Sequence, residues 1–462
     1  MSERSAVPLE LGTEKIGRLL KQYALPAIIA QTASSLYNMV DSIFIGQGVG
    51  PLAISGLAVT FPLMNLSTAF GTLVGAGAAT MLSVLLGQKN YKAANKVLGN
   101  VVSLNIIIGV IFMAVSLLFI DPILYFFGAS ENTLPYAKEY MTIILIGNVI
   151  THLYFGLNAA MRSSGNPKKA MGLTIFTVVF NAILDPIFIF GLDMGIAGAA
   201  WATVIAQTIA MIVVMHHFND RSRPFHFEKG ILRLDLRVAK DSMAIGMGPF
   251  LMNSAACLVT LFINQQLREY SGDLGIGAYG ICNRFVFMFM MICMGLNQGM
   301  QPIAGYNYGA RKYSRVKEVF WKTAKLAMVM TTLCFVCGMF FPEAAVGIFT
   351  RDQELMDLSA RALRIMTVIF PIVGFQMIAT NFFQSLGMVK KSVILSLSRQ
   401  ILFLLPLLYA LPTWLGADGV WVSFPISDGL ATLLTIFMLG RLFKKFSLLK
   451  DGDDPAILGS QL

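Results

Sequence analysis

Charged side chains are scarce in this chain. Asp, Glu, Lys and Arg make up 13% of its 462 residues, while 56% are hydrophobic; a soluble globular domain carries about 25% charged residues. That shortfall excludes a water-covered fold. Cysteine is also sparse: Cys257, Cys282, Cys293, Cys334 and Cys337 all lie in apolar segments. Cys334 and Cys337 form a CxxC, but no second pair or nearby histidine accompanies it. Metal or redox chemistry is therefore not expected of them, and the five read as small buried hydrophobes. No short alternating segments of the membrane-barrel kind occur. HExxH, GxSxG and paired aspartates in a GxGD setting are absent, so nothing points to an intramembrane enzyme. The first apolar block lacks a small-residue cleavage site, is too long for a cleaved leader and carries Asp41, so it reads as a span.

What the chain has is long apolar blocks along its whole length, which predict a polytopic all-α integral membrane protein. Twelve spans are read at 22–45, 52–86, 98–120, 140–161, 170–190, 195–215, 242–267, 275–308, 319–342, 365–383, 392–411 and 419–440. The blocks 52–86 and 275–308 are long for one span and short for two, since each crossing needs about 20 residues. They read as single long helices, with Pro62 and Pro302 as candidate kinks. With that count, one set of alternating segments holds 28 of the 35 Lys and Arg and the opposite loops hold 5. The basic set, including both termini, is expected in the cytoplasm. Charges spread over seven regions also argue against a nucleic-acid partner.

The halves repeat. GQKNYKAANKV at 87–97 matches GARKYSRVKEV at 309–319, and RSSGNPKKA at 162–170 matches QSLGMVKKS at 384–392, both at an offset of 222. GIAGAAW at 195–201 and GADGVWV at 416–422 follow at 221. The expected organisation is a six-helix lobe over 1–215, a cytoplasmic connector over 216–241, a second six-helix lobe over 242–445 and a tail over 446–462. Both lobes start and end on the same side, so they are parallel repeats, which points to alternating access around a cavity between the halves.

Acids inside the spans are few: Asp41 in span 1, Asp185 in span 5 and Asp428 in span 12. Asp41 and Asp185 lie four and five residues from the outer ends of their spans, and so share a depth. In NAILDP, Asn181 and Asp185 are at i and i+4, on one helix face. Tyr37 and Asn38 precede Asp41 by four and three residues, Thr203 on span 6 lies at similar depth, and Asn158 is on span 4. Two carboxylates, an amide and a hydroxyl make an all-oxygen site that suits a hard cation such as Na⁺. The same pair could instead load and release a proton. Pro26 can kink span 1 and free the carbonyl of Gln22. Asp428 has no comparable polar cluster, and Arg399 is expected to pair with an acid or reach the headgroups. Arg284 is the other basic residue well inside a span. His152 reads as a satisfied buried histidine, and His216, His217 and His226 as solvated. Most of the 27 Met and 34 Phe face lipid or pack helices; Met288–Met294 and Phe285–Phe289 are candidates for a cavity wall.

These features resemble the multidrug and toxic compound extrusion (MATE) family. LGTEKIGRLLKQYALPAIIAQTASSLYNMVDSIFIGQ and LGQKNYKAANKVLG are similar to bacterial members of its MepA-like branch, and the resemblance covers about residues 12–445. It implies export of drugs or toxic cations across the bacterial cytoplasmic membrane in exchange for inward H⁺ or Na⁺. It also implies a first-lobe cation site of Asp41, Asn181, Asp185 and Thr203, with Pro26, Tyr37, Asn38 and Asn158 lining or gating the cavity. No cofactor is expected. The partners are small drug-like molecules and the lipid bilayer, and the chain is expected to act as a monomer. Some members carry acids on spans 7 and 10; here those spans have none, which favours coupling in the first lobe. The rival reading, a lipid-linked oligosaccharide flippase of related architecture, calls for a cavity rich in Arg and Lys.

Overall fold

The computed structural model describes residues 10–223, 225–228, 230 and 233–454, and omits the side chains of 37–40, 42, 43, 46, 47, 51 and 273. Its long helices are α1 (Ile16–Gly48), α2 (Pro51–Gly87), α3 (Tyr91–Leu118), α4 (Leu134–Ser163), α5 (Pro167–Pro186), α6 (Gly195–Asn219), α7 (Leu236–Gly272), α8 (Leu274–Gly309), α9 (Tyr313–Phe340), α10 (Gln353–Thr367 and Phe370–Ser385), α11 (Val389–Leu415) and α12 (Ala417–Ser447). Among the described residues, ten single helices are long and apolar enough to cross a membrane, and the bent α10 makes eleven. The twelfth position belongs to α1, 33 residues long.

The two long blocks are single helices that continue through Pro62 and Pro302. The breaks fall elsewhere. Gly272, at φ 62, separates α7 from α8; without a Cβ, glycine takes that conformation at little cost. The two parts of α10 meet at 57°, where Pro371 lacks an N–H and its ring disfavours a helical Ile369–Phe370 junction. Single π-helical turns interrupt two spans, Ile187–Gly191 after α5 and Ser398–Leu404 within α11. The connector is shorter than the hydropathy boundary suggests. Ala210, Val214 and Phe218 are all buried at helical spacing, so α6 runs on to Asn219, while α7 begins at Leu236.

The chain forms two compact units, one holding Ile29–Phe250 with the described start up to Thr13, the other holding Glu14–Ile28 with Leu251 onward. The start of α1 thus packs with the second unit, and the start of α7 with the first. Small residues explain both. A Cβ on Gly299 or Gly295 of α8 would lie 2.5 or 2.6 Å from Cα of Ala24 or Ile28 on α1. A Cβ on Gly77 of α2 would lie 1.9 Å from the Ser242 carbonyl of α7, and one on Gly246 would lie 1.8 Å from that of Leu73. Where lipid is as apolar as leucine, close backbone approach through small residues is what holds helices together. Gly77 and Gly299, Leu73 and Gly295, and Ala24 and Gly246 are each 222 apart. The crossings therefore recur at the offset of the loop repeats.

Hydroxyls inside the spans are satisfied locally: Thr323, Thr331, Thr367 and Thr435 each donate to a carbonyl four residues back, as an apolar solvent requires. The second unit's core gathers Phe285, Phe289, Val420 and Trp421. The Phe285–Phe289 pair, a candidate cavity wall by sequence, packs there with ring centroids 5.4 Å apart, while Met288 is exposed.

Candidate functional site

The first unit encloses a cavity of about 290 Å³. Its wall follows helical periodicity: Tyr140, Ile144, Asn148, Thr151 and Phe155 on α4, Thr174, Thr177 and Asn181 on α5, Thr203 and Gln207 on α6, with Ser67 on α2 and Asp41 on α1. Spacings of three and four residues turn one face of each helix toward the same space.

Asp41 and Asp185 are 6% and 0% exposed, and Asn181 is 3% exposed. Asp185 is fully covered beneath the wall, and Asp41, Asp185 and the buried Tyr140 hydroxyl interact electrostatically. The Asn181 Nδ2 donates to Thr203 Oγ1 at 3.0 Å, and Thr203 Oγ1 donates to the Ala199 carbonyl at 3.1 Å. That chain orients the amide so that Asn181 Oδ1 is left as an acceptor. Among the described residues, Asp41 Oδ1, both Asp185 oxygens and Asn181 Oδ1 are buried without a hydrogen-bond donor. Native proteins leave few buried polar atoms unsatisfied, and a buried carboxylate without a counter-charge is costly. Four such oxygens with no neighbouring cation among the described residues fit a small hard cation or a proton. Among the described residues no three His, Cys, Asp or Glu side chains cluster as a metal site.

The other candidates are placed as follows. Tyr37 and Asn38 lie on α1, but their side chains fall outside the described residues. Pro26 is buried inside α1, in the stretch that packs with the second unit. Asn158 is not on the cavity wall: its Nδ2 donates to the Ala170 carbonyl at 3.1 Å, tying α4 to the start of α5. His152 Nε2 is 3.0 Å from the Ser67 carbonyl, while its Nδ1 has no partner among the described residues. Arg399 pairs with Asp428, Nε to Oδ1, at 2.5 Å, and Arg284 is exposed.

Sequence reasoning missed the neutral part of the wall. Ser67 Oγ donates to Asn148 Oδ1 at 2.5 Å, and Thr151 donates to Gln207. The signal was present: Tyr140, Asn148 and Thr151 form a polar stripe at spacings of eight and three on one span.

The family model MatE matches residues 26–187 and 245–410. "Multidrug export protein MepA" of Staphylococcus haemolyticus strain JCSC1435 is 27% identical over 92% of this chain and 94% of its own length. The solved structure of the MATE multidrug transporter DinF-BH is 38% identical, with a TM-score of 0.87 over 95% of this chain and 98% of that one. An outward-facing multidrug resistance MATE family transporter of the MOP superfamily, 23% identical with a TM-score of 0.89 over 96% of this chain and 98% of that one, shares the fold.

Proposed function

Because the chain belongs to the MATE family of multi-span membrane transporters, we propose that it is a secondary active antiporter that exports organic, often cationic compounds in exchange for H⁺ or Na⁺. The observation that carries this reading is the set of oxygens on the buried Asp41, Asp185 and Asn181 that find no donor among the described residues; Asp41 and Asn181 line a cavity whose other lining side chains are uncharged. Such a site attracts one positive charge, from a drug or from a coupling cation. Mutual exclusion of the two at Asp41 and Asp185 is the simplest form of exchange. Binding the cation lowers the negative charge of the pair, weakens the drug's hold and favours the state from which drug has left; a ligand drives such a change only through its differential affinity for the two states. Thr203 and Asn181 present oxygens to Na⁺, or hold the amide beside a protonated carboxyl. The names of MepA and DinF-BH support drug-like substrates for this chain too. The flippase reading gains nothing, since among the described residues no Lys or Arg lines the cavity.

The test is ethidium transport in proteoliposomes of known orientation, with a Na⁺ gradient and a pH gradient imposed separately. Transport driven by either one is expected, and which one drives it assigns the site to Na⁺ or to a proton. Unimpaired transport in a membrane-inserted Asp41→Asn variant would remove Asp41 from the mechanism.

A further inference from the structure

The repeat lets the two lobes be compared position by position. At the offset of 222 along α1, α5, α7 and α11, and of 221 along α6 and α12, the four oxygen-bearing residues Asp41, Asn181, Asp185 and Thr203 correspond to Ile263, Phe403, Leu407 and Phe424. All four are apolar, and Ile263 is 1% exposed within the second unit's core. The second lobe has its polar pair one helical turn away. Arg399 is four residues before Phe403 on α11, and Asp428 is four residues after Phe424 on α12. The two helices run in opposite directions, so both displacements are about 6 Å toward the basic-loop side. The residues at the matching places in the first lobe, Thr177 and Gln207, line its cavity.

Asp428 is 3% exposed and bonded through Oδ1 to Arg399 Nε, and its Oδ2 has no partner among the described residues. Arg399 is held by its backbone as well: Ser427 Oγ donates to the Arg399 carbonyl at 2.7 Å. It sits on the π-helical turn Ser398–Leu404, a departure that rotates side chains off the α-helical register and recurs at functional sites. Among the described residues, the other titratable group facing the pair is Tyr279 of α8, which interacts with Arg399 and stacks on Phe424.

We propose that Arg399 is a tethered counter-cation: it supplies to Asp428 the charge that a mobile cation supplies to the first-lobe acids, and so closes a latent second cation site one helical turn from the equivalent position. The assignment rests on the first-lobe coupling reading above. An acid with no permanent counter-charge must exchange cations, whereas an acid with a covalently attached one cannot.

The experiment counts cations on the purified full-length protein, as Na⁺ bound at equilibrium and as protons taken up across neutral pH. Arg399→Gln is expected to bind one more cation per chain than the unmodified protein, and adding Asp428→Asn to it is expected to return the count. An unchanged count in a folded Arg399→Gln protein overturns the proposal. If Arg399→Gln does not insert, the neutral pair Arg399→Gln with Asp428→Asn decides. It is expected to fold and keep the original count; a lower count would make Asp428 itself a coupling site and overturn the proposal. The first-lobe reading is judged separately, by whether the unmodified protein binds a cation that Asp41→Asn loses.

Discussion

Asp41 answers at residue scale why a carboxylate stands in an apolar helix. It is buried, lines a cavity, and one of its oxygens has no donor among the described residues, as do both oxygens of the fully buried Asp185. A carboxylate kept only for structure would bring its partners with it, as Asp428 brings Arg399. Asp41→Asn is therefore expected to abolish coupled transport while leaving thermal stability equal or higher, because it removes an uncompensated buried charge. Ethidium flux and unfolding in detergent, measured on the same preparation, check both halves. Thr203→Val removes the acceptor that orients the Asn181 amide. A lost hydrogen bond is worth about 1 kcal/mol, so cation affinity should fall about 5-fold, and a change of less than 2-fold in a cation titration would leave Thr203 without that role.

At the scale of elements, the tight crossings and the caps carry the fold. Gly246→Val on α7 forces a side chain onto the Leu73 carbonyl, 1.8 Å from where a Cβ would stand. Overpacking of this kind costs about 1–3 kcal/mol. Gly172→Ala on α5 meets open space and should be neutral or stabilising by up to about 1 kcal/mol. Thermal unfolding of the two variants side by side tests the contrast. The start of α9 shows how the repeats diverge. Asn90 caps α3 with its own side chain, accepting from Ala93 N–H, but Lys312 stands at the equivalent place of α9 and makes no side-chain cap. The chain's end supplies it: Asp451 accepts from the Ser314 N–H at 3.0 Å and from the Ser314 hydroxyl at 2.5 Å. Partial burial alone would raise the Asp451 carboxyl, but these hydrogen bonds outweigh it and hold it below the usual carboxylate range. A depressed folded value means that the contact stabilises above the unfolded value, about 3.9, and is lost as pH falls through the lower folded one. Exchange protection of the Gly452 N–H, which donates to the Arg311 carbonyl, should persist at neutral pH and vanish on acidification below that range. Asp451→Asn should remove it at neutral pH.

At the scale of the molecule, two six-helix repeats of one sequence pattern carry unequal chemistry. The first holds carboxylates without a paired cation among the described residues, and the second holds an acid with its own arginine. An exchanger needs only one site whose charge is satisfied from solution, and duplication leaves the other free to become structural. The expected consequence is one coupling cation per cycle, read from the imposed potential at which ethidium flux reverses in proteoliposomes.

Much of this was determined by the sequence alone. Hydropathy and the distribution of basic residues set the spans and kept both long blocks whole, because splitting either one would move basic loops to the side opposite the rest. The spacing of Asn181 and Asp185 and the depth of Asp41 marked the candidate site, since helical periodicity converts position into direction. Tertiary structure decided what needs partners distant in sequence: that Asn158 clips two helices and does not line the cavity, that Tyr140, Asn148 and Gln207 complete the wall, and that α1 divides between two units. It also decided that Arg399 reaches Asp428, 29 residues on. Local pattern reports which face a residue is on; which helix meets that face is set by close packing of the small residues across the whole chain.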